Sequence, residues 1–81
     1  MDDRIRDVIE KYGKLPTSAS ELDENADLYQ AGMTSHASVS VMLGLENEFD
    51  VEFPDRMLKR SVFESIASIR AALSEIGEVA A

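Results

Sequence analysis

The sequence predicts an all-α fold, a small four-helix bundle with three main helices, a short third helix, and a long loop between the first and second helices. Apolar residues recur at helical spacing near the start, in the middle and near the end of the chain. Pro54 interrupts the chain after the middle stretch, and Lys14 to Thr34 holds Pro16, Gly32 and many small polar residues with no sustained period.

Ile5, Val8, Ile9 and Tyr12 alternate with charged residues, so residues 2–13 read as an amphipathic helix, with Gly13 where a left-handed cap would end it. The loop that follows is long for so small a domain. Leu15, Leu22, Leu28 and Tyr29 are its expected anchors to the core. From Ser35 to Phe49, the residues Val39, Met42, Leu45 and Phe49 trace one face of a second helix, with Leu43 and Glu46 beside it, while Ser38, Ser40, Gly44 and Asn47 occupy other faces. Asp55 is placed to cap a short third helix through Lys59 that carries Met57 and Leu58. Ser61 is placed to cap the last one, in which Ile66, Ile69 and Leu73, with Val62 or Phe63, form the apolar stripe. Residues 78–81 are expected to fray, and residues 1–81 to form a single domain.

Composition narrows the function. With 81 residues the chain supports one core and no deep, water-excluding active site. It has no cysteine, which removes disulfides, thiolate metal sites and cysteine nucleophiles. Sixteen acidic residues against eight basic ones give a net charge of −8, which repels a phosphate backbone, so nucleic acid is not an expected partner. The same acidity favours encounter with enzymes bearing basic docking patches, or serves only solubility. No stretch reaches the roughly 20 apolar residues of a membrane span, and Met1-Asp2-Asp3-Arg4 does not open a secretory signal, so a cytoplasmic monomer away from membranes is expected.

Catalytic and metal motifs fail on inspection. Asp23, Asn25 and Asp27 have the spacing of a calcium loop, but Leu28 stands where its glycine belongs and Thr34 where its closing glutamate belongs. His36 is the single histidine and has no companion soft ligand. Adjacent Ser35 and His36 on a helix project in different directions, so they do not start a catalytic triad.

Ser35 stands out by position. It follows Gly32-Met33-Thr34 at the mouth of the second helix, where free amides and the positive end of the helix dipole favour a phosphodiester. The alternative is an ordinary helix cap. Asp27-Leu28-Tyr29-Gln30-Ala31-Gly32-Met33-Thr34-Ser35-His36-Ala37-Ser38-Val39, continued by Leu45-Glu46-Asn47-Glu48-Phe49-Asp50-Val51-Glu52-Phe53-Pro54, resembles the acyl carrier protein family. That family's pattern is an acidic residue and Leu, then Gly-Leu-Asp-Ser-Leu, then a helix ending in Glu-Glu-Phe before an extended piece ending in Pro.

The resemblance implies that Ser35 receives 4′-phosphopantetheine from coenzyme A through a phosphopantetheinyl transferase. It implies a carrier and not an enzyme: a ligase or transferase loads cargo as a thioester and an acceptor enzyme takes it on. Thr34 and His36 replace the family's Asp and Leu, and Ser38 and Ser40 thin the acidic face that fatty-acid enzymes read. Within the family, Gly32-Met33-Thr34-Ser35-His36-Ala37-Ser38-Val39 is most similar to the stand-alone aminoacyl carrier proteins, which are charged with an amino acid by truncated homologues of seryl-tRNA synthetase. A fatty-acid or polyketide carrier, or an unmodified acidic interaction module, are the alternatives. Met33, Thr34, His36, Val41 and Glu46 are the expected docking residues. Met33 is otherwise a loop anchor, Val41 a core residue, His36 a bystander of the first turn and Glu46 a solvated charge.

Overall fold

Asp2 and Asp3 in the first turn and Lys11 in the last complement the dipole of α1, Asp2–Tyr12, which buries Ile5, Val8 and Ile9. The structure, a computed structural model, describes residues 2–16 and 18–80. Gly13 continues the helical bonding, its N–H donating to the Ile9 carbonyl at 2.7 Å. The residue with left-handed backbone is therefore Lys14, at φ 54°, and not Gly13 as expected. Gly13 is instead required by closeness, because a Cβ there would stand 2.7 Å from the Ile9 oxygen.

The described parts of the segment between Lys14 and Thr34 are tied to α1 and to the start of the last helix. From α1, the Arg6 guanidinium donates to the carbonyls of Ala19 and Leu22 at 2.6 and 2.7 Å, and Glu10 accepts the Ala19 N–H at 2.9 Å. These bonds hold a 3₁₀ turn at Ala19–Glu21. On the other side the Leu28 N–H donates to the Glu64 carbonyl and the Ala67 N–H to that of Glu24. Leu28 is fully buried, and Leu15, Leu22 and Tyr29 pack against the same core, as their spacing predicts. Arg70 clamps the assembly through Asp2 and Glu24, both at 2.7 Å, and these partners hold its guanidinium above the ordinary arginine range. Asp23 and Asp27, the would-be calcium ligands, accept backbone N–H bonds from Asn25 and from Tyr29 and Gln30.

Helix α2, Ser35–Phe49, ends at Asp50 in the left-handed region, with φ 54° and ψ 50°. Its buried face is Ala37, Val41 and Leu45, which differs from the predicted one: Val39 is 52% exposed. Close approach decides the rotation. A Cβ on Gly44 would lie 2.7 Å from the Tyr12 ring and 2.9 Å from Val8, so α2 turns its small residues toward α1. Met42 and Phe49 remain partly buried at the flanks.

Between α2 and the last helix the chain runs extended to Pro54 and then makes two 3₁₀ turns, Asp55–Met57 and Arg60–Val62. These replace the expected short helix through Lys59, and Asp55 forms no side-chain cap. Met57 and Phe63 are both buried. On one continuous helix they would point about 120° apart, so the chain breaks at extended Lys59 to aim both inward. The Phe63 ring meets Phe53 edge to face at 5.3 Å.

The last helix, α3, is Ile66–Ala80 and buries Ile66, Ile69, Ala72, Leu73 and Ile76. Its cap is Ser65, not Ser61: the Ser65 and Ser68 hydroxyls accept each other's backbone N–H, both at 3.1 Å. Ser61 lies inside the second 3₁₀ turn. The expected fraying at 78–81 falls on positions whose side chains, and at 81 the backbone too, lie outside the described residues. Among the described residues the chain is thus all-helical with three α-helices, and none of its charged or polar residues is buried. No helix among them is long and apolar enough to cross a membrane.

Candidate functional site

The entrance to α2 is positioned by the two residues before it. Gly32 adopts φ 125°, where a Cβ would also press within 2.9 Å of Pro16, so the tight turn there depends on glycine. Met33 follows with its side chain in the core and its N–H donating to the Leu28 carbonyl at 3.0 Å. With that anchor set, Thr34, Ser35 and His36 all emerge on the surface.

Thr34 is the helix cap. Its Oγ1 accepts the Ala37 N–H at 3.0 Å from an extended backbone, which satisfies one of the unpaired amides of the first turn. Ser35, the first helical residue, is thereby released from the capping role that its position alone allowed. Its hydroxyl is exposed and hydrogen-bonds to no described residue, while its carbonyl accepts the Ser38 hydroxyl at 2.7 Å.

Beside this hydroxyl runs a groove of about 380 Å³ between α2 and the 3₁₀ segment, and Ser35 forms part of its wall. Val39, Met42, Leu58 and Phe63 give it an apolar surface. Lys59 and Arg60 stand along the same groove, with the Arg60 guanidinium stacked 4.0 Å over the Tyr29 ring. An exposed hydroxyl without a structural task, at the positive end of a helix and on a groove shared with two cations, suits a phosphodiester with an organic tail. The groove volume lies within the roughly 300–1,000 Å³ usual for small organic ligands. A wider groove of about 590 Å³ opens on the Tyr12 and Gly44 flank of α2, and Ser35 does not line it.

The expected docking residues divide. Thr34 and His36 flank Ser35 at the surface. Met33, 2% exposed, and Val41, at 0%, are core residues and offer a partner nothing, which corrects their assignment to a docking surface. Their burial follows from the anchor that turns the loop and from the rotation of α2. Glu46 is half-buried and its carboxylate accepts the Phe53 N–H at 2.9 Å, so it ties α2 to the extended segment instead of standing free for a partner. The reading of the residues missed Lys59 and Arg60, and placed Val39 and Leu43, 52% and 55% exposed, on or beside the core stripe. Counting in fours from Ser35 would have found both, since Ser35, Val39 and Leu43 share one side of the helix. Among the described residues no three histidine or carboxylate groups are placed to hold a metal ion.

Residues 3–75 match the family model described as the phosphopantetheine attachment site. The chain is similar to an aminoacyl carrier protein of Agrobacterium fabrum, at 49% identity over 69 residues that cover 85% of this chain and 83% of the relative. It also superposes, with TM-score 0.89 and 46% identity over 91% of this chain and 99% of the other, on a chain from a crystal structure of an engineered Bradyrhizobium japonicum glycine:[carrier protein] ligase complexed with carrier protein from Agrobacterium tumefaciens and AMP. A chain from the structure of the Bradyrhizobium japonicum ligase with glycylated carrier protein aligns with TM-score 0.74 and 27% identity, over 88% of this chain and 95% of that one.

Proposed function

The chain belongs to the phosphopantetheine-attachment family of carrier proteins, and from that premise we propose that it carries an amino acid as a thioester on an arm attached through Ser35. The observation that carries the choice of Ser35 is the division of labour at the helix entrance. Thr34 spends its oxygen on the Ala37 amide, and Ser35 keeps its own facing outward. In the modification the Ser35 oxygen bonds to the phosphorus of coenzyme A as the bond to the adenosine bisphosphate part breaks. The hydroxyl proton leaves to a base of the transferase, since His36 beside Ser35 does not share its direction. When bound, the arm supplies the thiol that a cysteine-free chain lacks, and that thiol holds the amino acid.

The chain itself does the holding and presenting. The helix dipole and unpaired first-turn amides of α2 favour the diester, by about 0.3–1 kcal/mol at an exposed site. The loading partner is an amino acid:carrier protein ligase, a reading supported by the ligase complexes of similar carrier chains. A phosphopantetheinyl transferase acts before it and an acceptor enzyme after it. Glycine, named in both complexes, is the first cargo to test.

Incubation with coenzyme A and a permissive phosphopantetheinyl transferase is expected to add one arm by intact mass, and Ser35→Ala to abolish the addition. A wild-type chain left unmodified by several competent transferases would overturn the assignment.

A further inference from the structure

We infer that Arg60, braced by Tyr29, and its neighbour Lys59 grip the diester on Ser35 and lay the arm along the groove between α2 and the 3₁₀ segment. This rests on the proposed modification of Ser35 and assigns it a binding subsite.

The five arginines differ in what holds them. Arg4, Arg56 and Arg70 are bound by Glu48, by Glu75, and by Asp2 with Glu24. Arg6 donates to two loop carbonyls. Arg60 alone of the five is held by a ring face and by no anion among the described residues, and Lys59 next to it also has no ion pair there. Stacking on Tyr29 fixes the guanidinium plane at 4.0 Å and leaves its edge N–H donors open. A fork fixed in this way suits the two free oxygens of a phosphodiester, and it loses little freedom on engaging them.

The groove supplies the rest. Ser35, Lys59 and Arg60 line one and the same cleft, so a chain leaving the Ser35 oxygen can meet the cations before it enters the apolar part. Val39, Met42 and Leu58 then offer an apolar wall for the arm's hydrocarbon portion. The backbone break at Lys59 that divides the two 3₁₀ turns is what brings both cations to this edge.

The test uses the arm-bearing chain, homogeneous by mass, labelled with ¹⁵N and compared with the unmodified chain. Attachment is expected to shift the Lys59 and Arg60 amides, the Arg60 Nε–H and the Val39 amide, and to displace the ³¹P line from that of free phosphopantetheine. In Arg60→Gln the ³¹P line returns toward the free position, with the gripped fraction falling roughly two- to fivefold, as for an exposed ion pair. Arg60→Lys restores part of the loss, and raised ionic strength weakens the grip in the wild type. Tyr29→Leu, checked for an intact melting transition, weakens it with the charge retained. Shifts confined to residues 34–37, with a ³¹P line unmoved by Arg60→Gln, would overturn the subsite while leaving the carrier function standing. Failure to add the arm at all would instead overturn the modification on which it rests.

Discussion

Thr34 and Ser35 make opposite predictions when each is cut back to alanine, and the contrast tests the assignment of the site. Thr34→Ala removes the oxygen that accepts the Ala37 N–H at 3.0 Å, leaving a first-turn amide to water, at a cost of about 1 kcal/mol and a range of roughly 0.5–2. In a domain of this size that lowers the melting temperature by roughly 4–8 °C. Ser35→Ala removes an exposed hydroxyl that bonds to no described residue, so stability should stay within about 0.5 kcal/mol. Modification runs the other way: Thr34→Ala is still converted by a phosphopantetheinyl transferase, and Ser35→Ala is not. Thermal denaturation by circular dichroism gives the first readout and intact mass after transferase treatment the second. Equal destabilisation by the two variants would show that the Ser35 hydroxyl has a structural task, and the reasoning that frees it for an arm would fail.

Other substitutions separate the core face of α2 from its outer face. Leu45→Ala, at a fully buried position, should cost about 2–5 kcal/mol by urea denaturation, while Leu43→Ala, 55% exposed two residues earlier, should cost less than about 0.5. Gly32→Ala forces a side chain into φ 125° against Pro16 and should lose about 1–3 kcal/mol, seen as a lower urea midpoint. Arg70→Met releases two ion pairs that are more than a third exposed and screened by solvent, so the melting temperature should barely move. Its local signature is faster amide exchange at Ala67, whose N–H is bonded to Glu24.

The helices with wide apolar stripes were legible because burial and periodicity coincide in them. Ile5, Val8 and Ile9 in α1, and Ile66, Ile69 and Leu73 in α3, are the large residues and also the buried ones. In α2 the two criteria separate. A hydropathy pattern selects Val39, Met42 and Phe49, whereas the close approach at Gly44 selects Ala37 and Val41, and packing prevails because the Tyr12 and Val8 atoms leave no room for a different rotation. Between Pro54 and Ser65 no period exists to be read. Met57 and Phe63 each anchor a three-residue turn, and serines at 61 and 65 both fit a cap until the reciprocal bonds of Ser65 with Ser68 decide between them. At the site, Ser35 could be placed at a helix mouth from its neighbours alone. That Thr34 would take the capping bond, and that Lys59 and Arg60 would stand across a groove, depended on backbone angles that no residue spacing records.

The charge summed over the chain and the charge met at Ser35 are different quantities. A surplus of eight acids suggests an acidic face toward partners, yet the first turn of α2 contains no acidic residue. The acids of that helix, Glu46 and Glu48, sit in its second half, one accepting the Phe53 N–H and the other paired with Arg4 at 2.9 Å. What surrounds the hydroxyl instead is Thr34, His36, Val39 and Leu58, with Lys59 and Arg60 at the groove. Such surroundings lower the cost of placing one more negative group on a chain already at −8, because two cations line the groove that Ser35 lines while the acids of α2 are engaged by Phe53 and Arg4. An acidic carrier can therefore accept a diester at this position without the repulsion that its total charge would imply.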